Sequence, residues 1–172
     1  MTKEQFIELI AAEQESLRRF LRGLCRGDGF TADDIAQEAL LKAYLSFKHF
    51  EGRSRFSTWL FRIGYNCWYD HIRKVDKSMA LPSIDDEGKG AIVRRKAMSV
   101  ADESDPTARN DQYDQLYMAI GSLSRQEQAV ILLYYMEEKS IREIELITEM
   151  PSGTIRSHLS RGREHLRAFL EK

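Results

Sequence analysis

The sequence has two cysteines, Cys25 and Cys67, in no CxxC pair and with no His pair nearby. That leaves a disulfide framework or a zinc site without support, and both read as buried free thiols. No apolar run approaches the roughly 18–20 residues that a membrane span needs. Met1 to Ile10 is acidic and amphipathic, unlike a signal peptide. A cytoplasmic protein without membrane contact of its own is the expectation. The chain also lacks a phosphate-cradling glycine loop, a nucleophile motif and metal-ligand spacing. No catalytic residue, metal ligand or cofactor is therefore predicted, and the protein is not expected to be an enzyme. Neither basic nor acidic residues are in excess: 26 Lys/Arg against 27 Asp/Glu leave a net charge of −1, which by itself does not advertise nucleic-acid binding.

What is present is apolar residue, 42% of 172, enough for one ordinary domain or two small ones with a core. Charge location says more than charge sum. Arg53 to Lys74 holds five Lys/Arg against one Asp, and Ser152 to Lys172 five against two Glu. Two basic patches on a near-neutral chain predict weak DNA affinity for the isolated protein, because either patch neutralises few phosphates.

Helical periodicity dominates. Phe6, Ile7, Ile10, Leu17, Phe20 and Leu21 predict a helix over 4–22, and Gly23, Gly27 and Gly29 a loop after it. Thr31 and Asp34 resemble a capping box opening a helix to about Lys48, with Ile35, Ala39, Leu40, Ala43, Tyr44 and Phe47 on one side. Glu51 to Arg55 is a polar, basic loop, and Ser57 to Lys74 the next helix. Residues 76–104 lose their aromatics and read as a flexible linker. Asp105-Pro106 suits the start of a helix to about Ile120. Ser124 with Glu127, and Ser140 with Glu143, form two further capping boxes. The expected fold is all-α: two small helical domains, 1–75 and 105–172, joined by the linker 76–104.

Two helix faces carry chemistry. Ser140–Ile147, a break at Thr148–Ser152 and Gly153–Phe169 form a helix-turn-helix pattern. On its last helix Ile155, Leu159, Gly162, Leu166 and Phe169 should face the core. The opposite face offers Arg156, Ser160, Arg163 and Arg167, flanked by Thr154, Ser157, His158 and Arg161, as phosphate and base-edge donors. Ser152, Gly153 and Thr154 add first-turn N–H groups suited to phosphate. A solvated basic face is the bland alternative; the helix and break ahead of it favour DNA. On the helix 57–74, Arg62, Asn66, Tyr69 and Arg73 share one stripe, with Tyr65 and Lys74 at its margin. Cations with an aromatic and an amide suit single-stranded nucleic acid, although spacing alone fits a solvated face equally well. Trp59 and Trp68 read as core in preference to stacking platforms. Asp33, Asp34, Gln37 and Glu38 form a solvated or protein-docking surface sooner than a catalytic carboxylate group.

In this order, these segments resemble bacterial RNA polymerase sigma factors of the extracytoplasmic-function group of the sigma-70 family. Asp34 to Tyr44 is similar to the family's region 2.2, Phe56 to Asn66 to region 2.3, and Trp68 to Lys74 to region 2.4. Leu123 to Tyr135 is similar to the start of region 4, and Pro151 to Leu166 to its helix that reads the −35 element. The resemblance covers nearly the whole chain outside the linker. It implies docking on the β′ clamp helices of core polymerase through Asp34, Gln37, Glu38 and Leu41. It implies −10 recognition and melting by Arg53, Ser54, Arg55, Phe56, Arg62, Asn66, Tyr69, Arg73 and Lys74. For the −35 element it implies Ser152, Gly153, Thr154, Arg156, Ser157, His158, Ser160, Arg161 and Arg163. The second domain would also touch the β flap, the linker would run toward the active-site and RNA-exit region, and an anti-sigma factor would hold the protein inactive. Membrane contact would come only through that partner.

The chain departs from the family at the helix-turn-helix. Glu145 stands where a small residue usually lets the two helices approach, Leu146 where a polar one is common, and Thr148-Glu149 in place of Leu-Gly. A charge at a close-packed contact is costly unless it reaches solvent or a partner. Ala36 replaces a larger apolar residue. Two other functions fit parts of the pattern. One is a stand-alone helix-turn-helix regulator with a helical sensor or oligomerisation domain. The other is a sigma-like scaffold or decoy for an anti-sigma factor.

Overall fold

Four helices of the chain begin where a side chain accepts one of the first free amides: Thr2, Asp28, Ser124 and Ser140 are the capping residues. In the computed structural model, residues 1–80 and 111–171 are described, and every regular element among them is helical. Helix α1 spans Lys3–Leu24. The Thr2 hydroxyl accepts the Gln5 N–H at 3.2 Å and the Gln5 side chain accepts the Thr2 N–H at 2.9 Å. The helix continues through Gly23, where the glycine pattern predicts a loop. A Cβ on Gly23 would lie 2.8 Å from Leu132 Cδ2, so the glycine serves close packing there. The turn falls instead at Arg26 and Gly27, both with positive φ.

Helix α2, Gly29–Ser46, is capped by Asp28. Its carboxylate accepts the Thr31 N–H at 3.2 Å and the Thr31 hydroxyl at 2.6 Å. The expected start at Thr31 is therefore displaced by three residues, because Gly29 and Phe30 already adopt helical geometry. Ala32, Ile35, Ala36, Ala39 and Ala43 are buried, and the small side chains of the four alanines bring α2 close to α1 and the next helix. Tyr44, expected among them, is largely exposed. A 3₁₀ turn, Phe47–His49, leads to the loop 50–55.

Helix α3 spans Phe56–Ala80, further than Lys74 at its C-terminal end. It buries Phe56, Leu60, Phe61, Tyr65, Cys67 and Trp68. Gly64 marks its crossing of α1, where a Cβ would meet Leu17 Cδ1 at 2.6 Å. Most of the linker and the Asp105-Pro106 helix start lie outside the described residues.

Helix α4 is Asp111–Gly121 and α5 is Arg125–Ile131. The Ser124–Glu127 capping box forms, with bonds of 3.2 and 3.4 Å. A π-helical turn, Leu132–Met136, extends α5. The widened turn buries Leu132 and Leu133 together and turns Tyr134 and Tyr135 outward. Helix α6, Ile141–Thr148, is capped by Ser140, whose hydroxyl accepts the Glu143 N–H at 3.1 Å. Glu149 ends it in the left-handed conformation, φ 64°, and α7 follows as Ser152–Leu170.

The core is continuous across both halves of the chain. α3 packs against α6, and α1 against the π turn. Arg19 donates two hydrogen bonds to Glu137, at 2.7 and 2.9 Å, and Arg125 two to Asp76, at 2.7 and 3.0 Å. Lys139 Nζ lies 4.7 Å from the centre of the Phe61 ring and donates to Ser57 Oγ at 3.2 Å. The helices of residues 1–80 and those of 111–171 thus fold against each other.

Candidate nucleic-acid interface

The face of α7 forms because Ile155, Leu159 and Gly162 are drawn inward by α5 and α6. A Cβ on Gly162 would sit 2.8 Å from Ile131 Cγ1, so α7 and α5 cross almost backbone to side chain. That crossing leaves Gly153, Thr154, Arg156, Ser157, Ser160, Arg161 and Arg163 exposed, with Ser152 and His158 half-buried. No side chain caps α7 at Pro151, and the space around Gly153 is open. Arg163 donates to the Tyr135 hydroxyl at 3.0 Å. Burial, then the neighbouring Arg161, pushes the His158 pKa down and keeps its imidazole neutral. At neutral pH His158 offers one donor and one acceptor, with no added charge.

Glu145 does not part the helix pair. It is half-buried, while the contact is made by buried Ile144, Ile147, Ile155 and Leu159. One tie on this helix was not legible beforehand. His165 Nδ1 lies 2.9 Å from the nearly buried Glu127 carboxylate, joining α7 to α5. Only the fold brings those residues, 38 apart in sequence, together.

On α3 the stripe Arg62, Asn66, Tyr69 and Arg73 is exposed along its whole length, with Lys74 beside it. Tyr65, expected at the margin, is buried against Trp68, and burial pushes its hydroxyl up to about 12. In the preceding loop Arg53 and Arg55 are exposed and Ser54 is half-buried. Arg53 pairs with Glu51 at 2.8 Å. Phe56 lies elsewhere than at the surface: 8% exposed, it packs edge-on to Phe6 and Phe50 and against Trp59. Trp59 is half-buried in that same aromatic cluster and Trp68 is buried. Arg62 is not free in this arrangement, since its guanidinium is ion-paired with Glu149 at the end of α6.

On α2 the expected docking residues Asp34, Gln37, Glu38 and Leu41 all face solvent on one side. Glu38 pairs with Lys42 at 3.2 Å. The same side carries Leu45, 70% exposed, and Phe30, 69% exposed. The spacing of Leu45 four residues after Leu41 was the available signal for it. Among the described residues there is no metal-binding cluster, and no helix is long and apolar enough to cross a membrane.

Among the described residues every regular element is helical, and the helix-turn-helix of α6 and α7, with its exposed basic face, is that of a DNA-binding protein. Residues 9–78 match the family model for Sigma-70 region 2, and 113–166 that for Sigma-70, region 4. The extracytoplasmic-function sigma factor SigW of Bacillus subtilis is 35% identical, covering 84% of this chain and 78% of its own. The sigma-E factor of Escherichia coli is 31% identical, over 76% and 69%. The fold is shared with RpoE of Bartonella quintana, solved with the anti-sigma factor NepR, at a TM-score of 0.77 and 24% identity over 98% of each chain. CnrH, solved with the cytosolic domain of CnrY, has a TM-score of 0.67 at 19% identity, over 99% and 90%. The chain belongs to the extracytoplasmic-function sigma factors, the subunits that direct RNA polymerase to promoters.

Proposed function

We propose that this sigma factor divides promoter recognition between its two exposed faces. The observation that carries the reading is the unbroken solvent-facing row Arg62, Asn66, Tyr69 and Arg73 on α3. A structural helix has no need of a ring and an amide set between guanidiniums, whereas a separated DNA strand does. Tyr69 stacks on an unpaired base, Asn66 bonds a base edge, and Arg62, Arg73 and Lys74 hold the backbone. Arg53, Ser54 and Arg55 line the adjoining loop, and buried Phe56 sets its shape from beneath. The α7 face reads the −35 duplex in the major groove through Arg156, Ser157, Ser160, Arg161 and Arg163, with His158 at its edge. Ser152, Gly153 and Thr154 take a phosphate at the helix start. Asp34, Gln37, Glu38 and Leu41 dock on core polymerase.

The protein performs no covalent chemistry itself and acts in the cytoplasm, where its polymerase is. An anti-sigma factor is its expected regulator, since RpoE, which shares the fold, was solved with the anti-sigma factor NepR.

Asn66→Ala and Tyr69→Ala are each expected to lower open-complex formation about tenfold, on the order of 1–3 kcal/mol per lost base contact. Permanganate reactivity of promoter thymines reports opening, and co-purification reports polymerase binding, which should not change. A loss of binding with either variant would mean that α3 docks polymerase instead of DNA.

A further inference from the structure

The residue that closes the turn of the helix-turn-helix is also the one that reaches across to α3. Glu149 holds φ at 64°, a backbone conformation that suits glycine and strains a residue with a Cβ. Yet its carboxylate pairs with Arg62, from 87 residues earlier in the chain. A second carboxylate of the same helix, Glu143, lies 4.0 Å from Arg55. Both acceptors sit on the edge of α6, and both donors belong to the face and loop read above as the −10 site. That reading is the one on which this inference rests.

We propose that the acidic edge of α6 is an internal stand-in for a nucleic-acid backbone. It docks on the single-strand site of α3, and the free protein stays closed until nucleic acid or polymerase displaces it. Carboxylates spaced along α6 meet guanidiniums that would otherwise meet phosphates. Lys139 over Phe61, Arg19 with Glu137 and Arg125 with Asp76 belong to the same closed contact and hold the edge in place. Because Glu149 and a DNA strand compete for Arg62, the apparent affinity for the strand scales with the open fraction. The coupling is reciprocal, so binding the strand drives opening.

The test uses the full chain. Lys48→Cys and Ala168→Cys place dyes on exposed sites of the two halves. Burial pushes the Cys25 thiol up to about 12 and raises Cys67 too, so the introduced thiols react first. Single-molecule energy transfer reads the open fraction, and a fluorescent single-stranded oligonucleotide reads affinity. Glu149→Gln removes the charge, and Glu149→Gly also relieves the left-handed strain, so it should fold at least as stably as the parent. Glu164→Gln, exposed on α7, makes the same charge change away from α3. An exposed ion pair of this kind corresponds to about a two- to fivefold change in the open-to-closed ratio. Both Glu149 variants should show that rise, matched by an equal gain in oligonucleotide affinity, with neither seen for Glu164→Gln. Unchanged energy transfer in both Glu149 variants would overturn the latch. Opening without a gain in affinity would overturn the competition, and would show that the α3 face is not the strand site. Equal gains with Glu164→Gln would overturn it as well, as a general charge effect.

Discussion

Gly162→Leu is expected to lower the melting temperature by about 2–12 °C and to abolish −35-dependent transcription. The physical cause is the crossing of α7 over α5. Even a methyl group at residue 162 would lie 2.8 Å from Ile131 Cγ1 and 3.1 Å from its Cδ1. Ile131 is itself buried, so it has no room to withdraw. Overpacking of this kind costs about 1–3 kcal/mol, which for a chain of this length corresponds to the stated shift. The displaced α7 would carry Arg156, Arg161 and Arg163 out of register with the groove. Gly153 supplies the contrast, since nothing lies within 4 Å of the Cβ it lacks. Gly153→Ala should leave the melting temperature within about 2 °C, because no buried contact changes. Thermal melts of both variants decide the matter: equal melting temperatures would mean that α5 and α7 do not approach as described.

The second large effect concerns polymerase capture. Leu41→Asp with Leu45→Asp is expected to weaken binding to core polymerase at least tenfold while leaving the melting temperature almost unchanged. Leu41 is 57% and Leu45 70% exposed, so neither contributes much to the fold. Burying a leucine against a partner contributes about 1.5–3 kcal/mol, and a carboxylate in its place would be buried without a counter-charge. Co-purification with core polymerase reads the loss. Retained binding would move the docking surface off this side of α2, and a large drop in stability would show that the leucines serve the core instead.

Much of this molecule was readable from local pattern. The helical spans follow from apolar spacing, which depends only on 3.6 residues per turn. The Ser124–Glu127 box and the Ser140 cap follow from contacts three residues long. Local signals misled where two of them competed. Asp28 and Thr31 are both competent caps, and the choice depended on whether Gly29 and Phe30 would be helical. Gly23 carries the composition of a loop, but Leu132 from the other half of the chain requires its missing side chain. Phe56 adjoins the basic loop in sequence, but the Phe6, Phe50 and Trp59 cluster draws it inward.

By itself the sequence determined that the chain is helical, that it resembles the sigma factors, and which stripes of α3 and α7 carry donors. Those properties repeat within a few turns of one helix, so a single helix suffices to express them. The tertiary structure alone decided what each stripe meets. Arg19 finds Glu137 from 118 residues away, and Arg62 finds Glu149. Such pairs arise only once buried apolar faces have set whole helices at particular distances and angles. A charged residue exposed on its own helix holds no local record of the partner that packing will bring to it.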